Sequence, residues 1–553
     1  MTIALEDWLV LAGTLAFIII YGMYVAGKKV MTADEFLKEK QEVKWWTIGL
    51  SVMATQASAI TFMSTPGQAF HDGMGFVQFY FGLPIAMIII CATFIPIFHQ
   101  QKIFTAYEYL ENRFDKHTRV LTSVLFLIQR GLGAGITIYA PSIILSTILG
   151  WNLTALNIIT GSLVVLYTVS GGTRAVAVTQ KQQMFVIFLG MAAAFTVALN
   201  SLPEHIHFTD ALHIAGMDGK MKLVDFSFDV ESRYTFWSGI TGGMFLALAY
   251  FGTDQSQVQR YISGNSIKES RLGLVFNGLF KVPMQFFILL CGIMVYVFFQ
   301  FQPAPLFFNQ PALENTRQGP YKEQIFALEA SYDSLFNERK TLLLNSHTDA
   351  NAQARILTLN NAEKKLRTEA KALVKANNAS VEENDKDYVF IYFVLSYLPK
   401  GLVGLLLAVI FCAAMSSSSS ELSALASCTT LDIYKRNYNS KADDQHYLRF
   451  SRGMTILWGA IAIGFANISS LFENLIQFVN IVGSLFYGTI LGIFLAGFYC
   501  KRIQAKHILP AAVLTEAAVI SIFYMDWVGY LWLNAIGCAL VLILAYVFSL
   551  IRK

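Results

Sequence analysis

Long runs of apolar residues follow one another along almost the whole chain, with short polar segments between them. A helix needs about 20 apolar residues to cross a hydrocarbon core roughly 30 Å thick. Runs of that length predict an all-α polytopic membrane protein with about 13 transmembrane helices. The predicted spans lie near residues 7–27, 47–70, 76–99, 118–149, 152–170, 181–200, 235–254, 272–300, 396–430, 448–467, 472–498, 507–526 and 530–550.

One long segment departs from this pattern, because residues 301–386 mix acidic, basic and apolar positions. Two helical stretches flank the polar sequence SHTDANA, which indicates a solvated helical hairpin on the outer face. Long loops cross a membrane regardless of their charge, so the lysines and arginines of this segment do not contradict an outer location. We favour a tolerated insertion over a lid or a docking surface for a partner.

The composition agrees with membrane embedding, since 55% of the residues are apolar and 14% are charged. The net charge of +4 does not indicate a nucleic-acid partner. The six cysteines lack metal-ligand spacing, and the nine histidines form no nucleophile–base or metal pattern. These absences argue against an enzyme. Because the chain is so apolar, the expected partner is the lipid bilayer, and the expected location is the plasma membrane.

Lysine and arginine collect in alternate loops, for example 28–44, 102–119 and 435–452, whereas the opposite short loops are nearly bare. Positively charged loops stay on the cytoplasmic side of a membrane. The pattern therefore predicts an N-terminus outside and a C-terminus in the cytoplasm.

The stretch 49–70 has the length of a span but carries polar side chains where lipid offers no hydrogen-bond partner. Polar groups at membrane depth persist only against protein or a wet cavity. One interpretation is an intact helix whose hydroxyls are satisfied inside a bundle. The other is a broken helix whose freed carbonyls bind a cation near the midplane, as in secondary transporters. The polar residues are Gln56, Ser58, Thr61, Ser64 and Thr65, and Pro66-Gly67 closes the stretch.

A second unusual stretch, residues 411–432, contains five consecutive serines inside an otherwise helix-compatible sequence. Successive helical positions point about 100° apart, so the hydroxyls surround the helix and some must face a neighbouring span. If that span is the broken one, carbonyls and hydroxyls converge without a carboxylate. Such neutral oxygens suit a weakly and reversibly held hard cation.

Several longer motifs accompany these two stretches. They are TAYEYLENRF (105–114), RGLGAGITIYAPS (130–142), GGTRAVAVT (171–179), FGTDQSQVQRYIS (251–263), LPKGLVGLLLA (398–408) and AAMSSSSSELSALASCTTLDIYKR (413–436). Together they resemble the sodium:solute symporter family, which includes sodium/sugar and sodium/sialic-acid symporters. The resemblance covers nearly the whole chain, apart from the 301–386 insertion and the last two spans. It implies a LeuT-type fold with an inverted repeat of five plus five helices.

The resemblance also implies a sodium site. In the family, sodium is held by main-chain carbonyls of the broken first core helix and of the eighth core helix, and by two hydroxyls of the eighth. The alanines among the matching residues would act through their carbonyls, so side-chain chemistry does not identify them. Carried over residue by residue, the ligands are Ala54, Ala57, Ala413, Ser416 and Ser417.

Some members of the family hold a second sodium ion between two further hydroxyls of the eighth helix and an aspartate of the fifth. Ser419 and Ser420 match the hydroxyls, but Gln180 stands where those members have the aspartate. An amide keeps an oxygen and loses the charge, which predicts one sodium ion per solute. Two alternatives are open for the adjacent Glu421: it replaces the lost charge, or it pairs with a basic neighbour.

The match to the family's sugar pocket is partial. Tyr250 and Lys281 match an aromatic residue and a lysine of glucose and galactose symporters, and Gln477 lies at or beside another sugar contact. Ala247 and Thr61 replace an asparagine and a glutamine of that pocket. The implied sugar site is therefore incomplete.

Arg130 offers a different indication of the solute. It lies about ten residues into its span, where a charge is costly unless it faces protein or a pocket. Its planar guanidinium fits a carboxylate, and residues 54–61 resemble the corresponding stretch of sialic-acid symporters. The alternative is a structural arginine bonded to carbonyls of neighbouring helices. The candidate pocket residues are Gln56, Ser58, Thr61, Phe76, Gln78, Tyr80 and Arg130.

The predicted function is sodium-driven import of a small polar organic solute, with a sugar or sugar acid as first choice. Bundles of helices would rock about a site at the midplane. The alternatives are a symporter for another organic anion or a vitamin, and a transporter-like membrane sensor, which would need an attached signalling domain. The predicted organisation is an extra N-terminal helix with a cytoplasmic loop (1–45), a first five-helix repeat (46–200), an extracellular loop (201–234), a second repeat (235–498) that contains the 301–386 insertion, and two C-terminal helices (499–553).

Overall fold

The computed structural model of the protein describes residues 4–26, 44–346, 350–379, 381, 383–468 and 475–551. Within these ranges the chain is almost entirely helical and has no β-strand. The predicted cytoplasmic loop at 28–43 lies outside the described residues, as do the start of the span predicted at 472–498 and the terminal Arg552 and Lys553.

The first half of the chain contains two long helices and several short ones. In chain order they are α1 (Leu5–Ala26), α2 (Trp45–Gln56), α3 (Ala59–Asp72), α4 (Leu83–Ala92), α5 (Phe94–Gln101), α6 (Glu108–Arg113), α7 (Lys116–Leu149), α8 (Leu153–Asn200) and α9 (Phe208–Met217). A 3₁₀ segment, Met74–Tyr80, connects α3 to α4.

The second half holds most of the remaining apolar helices and the hairpin of the insertion. Its helices are α10 (Phe236–Gly252), α11 (Gln255–Ile262), α12 (Ile267–Phe301), α13 (Gln310–Gln318), α14 (Lys322–Ser346), α15 (Ala350–Asn377), α16 (Lys386–Tyr397), α17 (Leu402–Asn437), α18 (Asp444–Ala466), α19 (Leu475–Tyr499), α20 (Ala505–Tyr524) and α21 (Tyr530–Ile551).

Among the described residues, eight helices are long and apolar enough to cross a membrane. Two further apolar helical segments, Leu153–Val169 and Phe236–Gly252, are shorter. The span predicted at 47–70 is divided between α2 and α3. The structure thus confirms an all-helical polytopic architecture, whereas the number of spans and the sidedness of the termini stay predictions.

Two helices are broken in the middle of the bundle. The first break separates α2 from α3, where Ala57 (φ −80°, ψ 75°) and Ser58 (φ −77°, ψ 171°) leave the helical conformation. The second separates α10 from α11 at Thr253 and Asp254. The Asp254 side chain accepts from Ser256 N over 2.9 Å and so caps α11. Residues 49–70 therefore contain the break that one of the two interpretations predicted, whereas cation binding at the break stays a prediction.

Helix α3 continues through Pro66-Gly67 and ends at Asp72 instead of stopping at the proline. A side chain at Gly67 would collide with the main chain of Lys386, at the start of α16. A side chain at Gly292 of α12 would collide with the main chain of Pro66. Glycine is required at both positions because the helices touch backbone to backbone, which fixes the second half of the broken helix.

The serine-bearing helix α17 packs against α1, α7 and α8. Its first turn receives a cap from the N-terminal helix, since Asp7 Oδ1 accepts from Gly401 N over 2.6 Å and from Gly404 N over 2.9 Å. A carboxylate stabilises the positive end of a helix and satisfies amides that have no partner within it. The extra N-terminal helix therefore supports the start of the serine-bearing helix.

The insertion forms an antiparallel helical hairpin, as predicted. Helices α13, α14 and α15 enclose a small apolar core of their own, separate from the main core. Asp385, just before α16, ties this unit to the bundle: it accepts from Phe308 N over 2.8 Å and pairs with Lys371 over 2.6 Å. The core residues of the hairpin are Leu306, Phe307, Ala312, Leu313, Ile325, Tyr332, Phe336, Ala370 and Val374.

Candidate functional site

The carbonyls at the end of α2 face the serine run of α17. Ser416 Oγ donates to Ala54 O over 3.3 Å, and Ser417 Oγ donates to Thr55 O over 3.2 Å. Ala57 and Ala413 are fully buried. A hydroxyl can rotate its hydrogen away and present a lone pair in its place. The oxygens that bond each other here can therefore turn toward a shared cation, so the residues present fit a sodium ion.

Gln180 of α8 fills the space beside these serines. Its Nε2 donates to Ser416 Oγ over 3.0 Å, and to Ser420 Oγ and Thr55 Oγ1 over 3.2 Å each. Its Oε1 accepts from Ser51 Oγ over 2.5 Å. The three residues predicted as a possible second sodium site are not equally close, because Ser419 instead bonds the main chain of its own helix.

A guanidinium also contacts this cluster. Arg260 of α11 is buried, and its Nη2 donates to Ser420 Oγ over 2.8 Å. A fixed positive charge on one predicted sodium ligand opposes the binding of a second cation there. The amide of Gln180 and the guanidinium of Arg260 therefore both work against a second sodium ion.

A small cavity of about 80 Å³ opens beside the first break, between α2, α3, α7, α10 and α19. Neutral hydrogen-bonding side chains make up much of its wall, and aromatic rings close it. Among the described residues, Gln56 Oε1 and Gln129 Oε1 are buried without a hydrogen-bond partner. The lining includes six predicted solute residues, namely Gln56, Ser58, Thr61, Tyr80, Arg130 and Tyr250, together with Thr55, Gln129, Thr137, Glu421, Asn480 and Tyr487.

Arg130 lies on the cavity wall within a buried charged network. Its Nη1 donates to Glu421 Oε1 over 3.0 Å, and its Nη2 pairs with Asp254. Nη2 also donates to Tyr487 OH over 2.5 Å, and the guanidinium lies 5.2 Å from the Tyr250 ring centroid. Two carboxylates against one guanidinium leave one excess negative charge. Glu421 thus pairs with a basic neighbour, the second of its two alternatives.

The other four predicted solute residues lie outside the cavity lining. Gln78 is tied to the loop between α9 and α10, since its Nε2 donates to Tyr234 O over 3.1 Å and its Oε1 accepts from Asp225 N over 2.8 Å. Phe76 packs edge to face against Tyr234. Lys281 is buried with its Nζ 6.0 Å from the centroid of the Tyr80 ring. Gln477 Oε1 accepts from Arg233 Nη1 over 2.8 Å.

Asp254, Tyr487 and Arg260 belong to the site but were not predicted from the sequence. One available signal was Asp254, the aspartate in the motif FGTDQSQ, because an ionisable residue at membrane depth indicates a functional site. A second was the change from an apolar run to a polar one at Thr253-Asp254, which marks the second helix break. Tyr487 offered no such signal, since an aromatic residue in an apolar span is ordinary.

Known proteins resemble this chain over most of its length. The model of the sodium:solute symporter family matches residues 36–325 and 356–514. Sodium-coupled monocarboxylate transporter 1 of Homo sapiens is 26% identical over 498 residues, which are 90% of this chain and 69% of the relative. The sodium/iodide cotransporter of Homo sapiens is 25% identical over 483 residues, which are 86% of this chain and 63% of the relative.

A solved structure shares the fold. It shows a substrate-bound, outward-open Na⁺-coupled sialic acid symporter, and it aligns with a TM-score of 0.77 and 23% identity over 100% of this chain and 98% of that one. Identity at that level supports the shared architecture and leaves the solute open. The LeuT-type fold predicted from the motifs is thereby confirmed.

Proposed function

Because the chain belongs to the sodium:solute symporter family, we propose that it couples one inward-moving sodium ion to the import of a small, neutral, polyhydroxylated solute such as a sugar. The sodium ion would bind between the end of α2 and the serines of α17. The solute would bind in the adjacent cavity. Opposite sides of that cavity would open in turn as the helix bundles rock.

The charge balance at the cavity is the observation that carries this choice of solute. Arg130 is already paired with Asp254 and Glu421, so protein carboxylates fully compensate its charge. A neutral solute adds no charge to this network, whereas a carboxylate would add an uncompensated charge at high cost in a low-dielectric interior. Neutral solutes also suit the free amide oxygens of Gln56 and Gln129.

A solute with a carboxylate, such as a sugar acid or another organic acid, is the second candidate. The Nε of Arg130 has no hydrogen-bond partner among the described residues, so the guanidinium keeps one donor to offer. Some relatives are named as monocarboxylate transporters. For such a solute to bind through its carboxylate, Arg130 would have to exchange Asp254 or Glu421 for it.

Transport current separates the two candidates. With one sodium ion per solute, uptake of a neutral solute moves one positive charge inward, and uptake of a monoanion moves none. We expect a neutral hexose to produce a sodium-dependent inward current in proteoliposomes and an inside-negative potential to accelerate its uptake. Electroneutral uptake of the corresponding hexuronic acid, without uptake of the hexose, would instead establish the carboxylate candidate.

Variants at Arg130 provide an independent test. Arg130→Gln leaves Asp254 and Glu421 without their partner, and breaking a buried pair in this way costs about 3–5 kcal/mol. The double variant Arg130→Gln/Glu421→Gln removes one charge of each sign and is the matched control. Hexose uptake that recovers in the double variant supports a neutral solute. Loss of acid uptake in both variants would show that the guanidinium itself binds the solute.

A further inference from the structure

A second cavity, of about 60 Å³, lies between the inserted hairpin and the outer end of the transport core. Its walls come from α14 and α15 of the hairpin, from the end of α3, from α12, and from the loop that follows α9. Lys220 holds that loop against the end of α3 and the 3₁₀ segment after it, since its Nζ donates to His71 O over 2.9 Å and its carbonyl accepts from Met74 N over 2.8 Å. We call this space the outer basic cavity, because the insertion is predicted to lie on the outer face.

Positive charge exceeds negative charge around the outer basic cavity. The two carboxylates of its lining are each shared: Asp218 lies 3.0 Å from Lys364 Nζ and 3.6 Å from Lys220 Nζ, and Glu363 pairs with two arginines. Asp385, just outside, is paired with Lys371. The lining therefore has two more cationic groups than carboxylates. The charged side chains are Lys220, Arg339, Lys364 and Arg367 against Asp218 and Glu363.

Both arginines hold unused N–H groups. Arg339 Nη1 bonds Asn360 Oδ1 over 3.1 Å and Glu363, whereas its Nε and Nη2 have no hydrogen-bond partner among the described residues. Arg367 bonds Glu363 through Nε and Pro305 O through Nη1, and its Nη2 is buried without a partner there. Their side chains are only 3% and 9% exposed.

Aromatic contacts do not account for these donors. The Arg367 guanidinium lies 5.2 Å from the Phe308 ring centroid and the Arg339 guanidinium 5.9 Å from that of Phe336. A ring engages the face of a guanidinium, but its N–H groups lie in the plane and need acceptors at the edge. Buried donors without acceptors are uncommon, and each requires an explanation. An anion is the acceptor that also corrects the local excess of positive charge.

Part of this cavity lies outside the segments that match the family. Arg339 lies in residues 326–355, which fall between the two segments that match the family. The cavity is also distinct from the solute cavity, because the two share no lining residue.

We propose that the outer basic cavity binds a small monovalent anion, a halide or a short carboxylate, between the N–H groups of Arg339 and Arg367. The bound anion would complete the hydrogen bonding of both guanidiniums and neutralise part of the excess charge. It would also strengthen the attachment of the hairpin to the end of α3, since Asp218 pairs both with Lys364 of the hairpin and with Lys220, which donates to His71. This proposal does not depend on the identity of the transported solute.

Anion binding can be measured directly on the purified full-length protein in lipid nanodiscs. Sodium methanesulfonate is replaced stepwise by sodium chloride in one arm and by sodium acetate in the other, at constant sodium and ionic strength. We expect saturable binding by calorimetry and a rise in the melting temperature in at least one arm. Binding of chloride alone identifies a halide site, and binding of acetate alone identifies a carboxylate site.

Three variants locate the effect. Arg339→Gln should weaken anion binding at least tenfold, and Lys364→Gln should weaken it several-fold by removing an exposed charge, while the buried Asp218 keeps Lys220 as a partner. Arg355→Gln is the matched control, because Arg355 lies on the same hairpin, is exposed, and pairs only with Glu338 among the described residues. No saturable binding of either anion to the wild type, or equal binding in all variants, would overturn the proposal.

Discussion

Replacement of Gln180 by aspartate tests the physical basis of the expected single sodium ion. In the wild type, the Gln180 amide nitrogen donates to Thr55, Ser416 and Ser420, and its oxygen accepts from Ser51. Gln180→Asp introduces the carboxylate that two-sodium members of the family have at this position. If the side chain at 180 alone determined the stoichiometry, this single substitution would create a second sodium site.

The neighbouring arginine changes that expectation. Arg260 Nη2 lies 2.8 Å from Ser420 Oγ, so a carboxylate at position 180 would lie about 6 Å from a buried guanidinium, where opposite unit charges attract by roughly 3 kcal/mol at an effective dielectric constant of about 20. The attraction between this carboxylate and Arg260 competes with sodium for the carboxylate. A competition of that size corresponds to about a hundredfold lower sodium affinity. We therefore expect Gln180→Asp to keep one sodium ion per solute and Gln180→Asp/Arg260→Gln to gain a second.

Parallel fluxes of sodium-22 and labelled solute in proteoliposomes give the stoichiometry, and the sodium dependence of uptake gives the Hill coefficient. The expected flux ratio is one for the wild type and Gln180→Asp, with a hyperbolic sodium dependence. Gln183→Asp is the matched control, because Gln183 is buried one turn away and its amide has no hydrogen-bond partner among the described residues. A ratio of two in the wild type, or in Gln180→Asp with Arg260 intact, would refute this reasoning.

Two further predictions concern the first sodium site and the hairpin. Ser417→Ala removes one of the neutral oxygens of the predicted sodium site. It should raise the sodium concentration for half-maximal uptake about tenfold, the equivalent of about 1.4 kcal/mol. Ser418→Ala is the control and should leave that concentration nearly unchanged, because the Ser418 hydroxyl bonds Thr137 instead. Burial alone would raise the pKa of Glu363, but Arg339 and Arg367 lower it from 4.5 to about 2. The hairpin should therefore keep its full stability above about pH 4.5 and lose it as the pH falls toward 2, which limited proteolysis across that range would show, with a flatter profile in Glu363→Gln.

Features that depend on local chemistry could be predicted from the sequence. The polar residues between Gln56 and Thr65 indicated a break in an apolar span, and the helix does break at Ala57 and Ser58. The serine run indicated hydroxyls facing that break, and Ser416 and Ser417 do contact its carbonyls. Both predictions succeed because an unsatisfied polar group in lipid is so costly that its presence alone restricts the structure.

Features that depend on which helices meet could not be predicted in the same way. Arg130 pairs with Asp254, 124 positions away, and with Glu421, 291 positions away. Nothing in the spacing of these residues indicates that they meet, so the sequence left open whether Glu421 replaced a charge or paired with one. Gln78 shows the same limit over a short distance, because it lies two residues from the cavity-lining Tyr80 and yet bonds the loop between α9 and α10.

The cap that Asp7 provides to α17 means that the position of helix α1 can report the movement of α17 during transport. Helix α17 cannot shift away from α1 without exposing the amides of Gly401 and Gly404, so the two helices should travel together when the bundles rock. Leu9 and Phe17 are exposed on α1 and lie away from both cavities. A spin label or fluorophore at either position could therefore follow the movement of the serine-bearing helix in real time without touching the proposed sodium and solute sites.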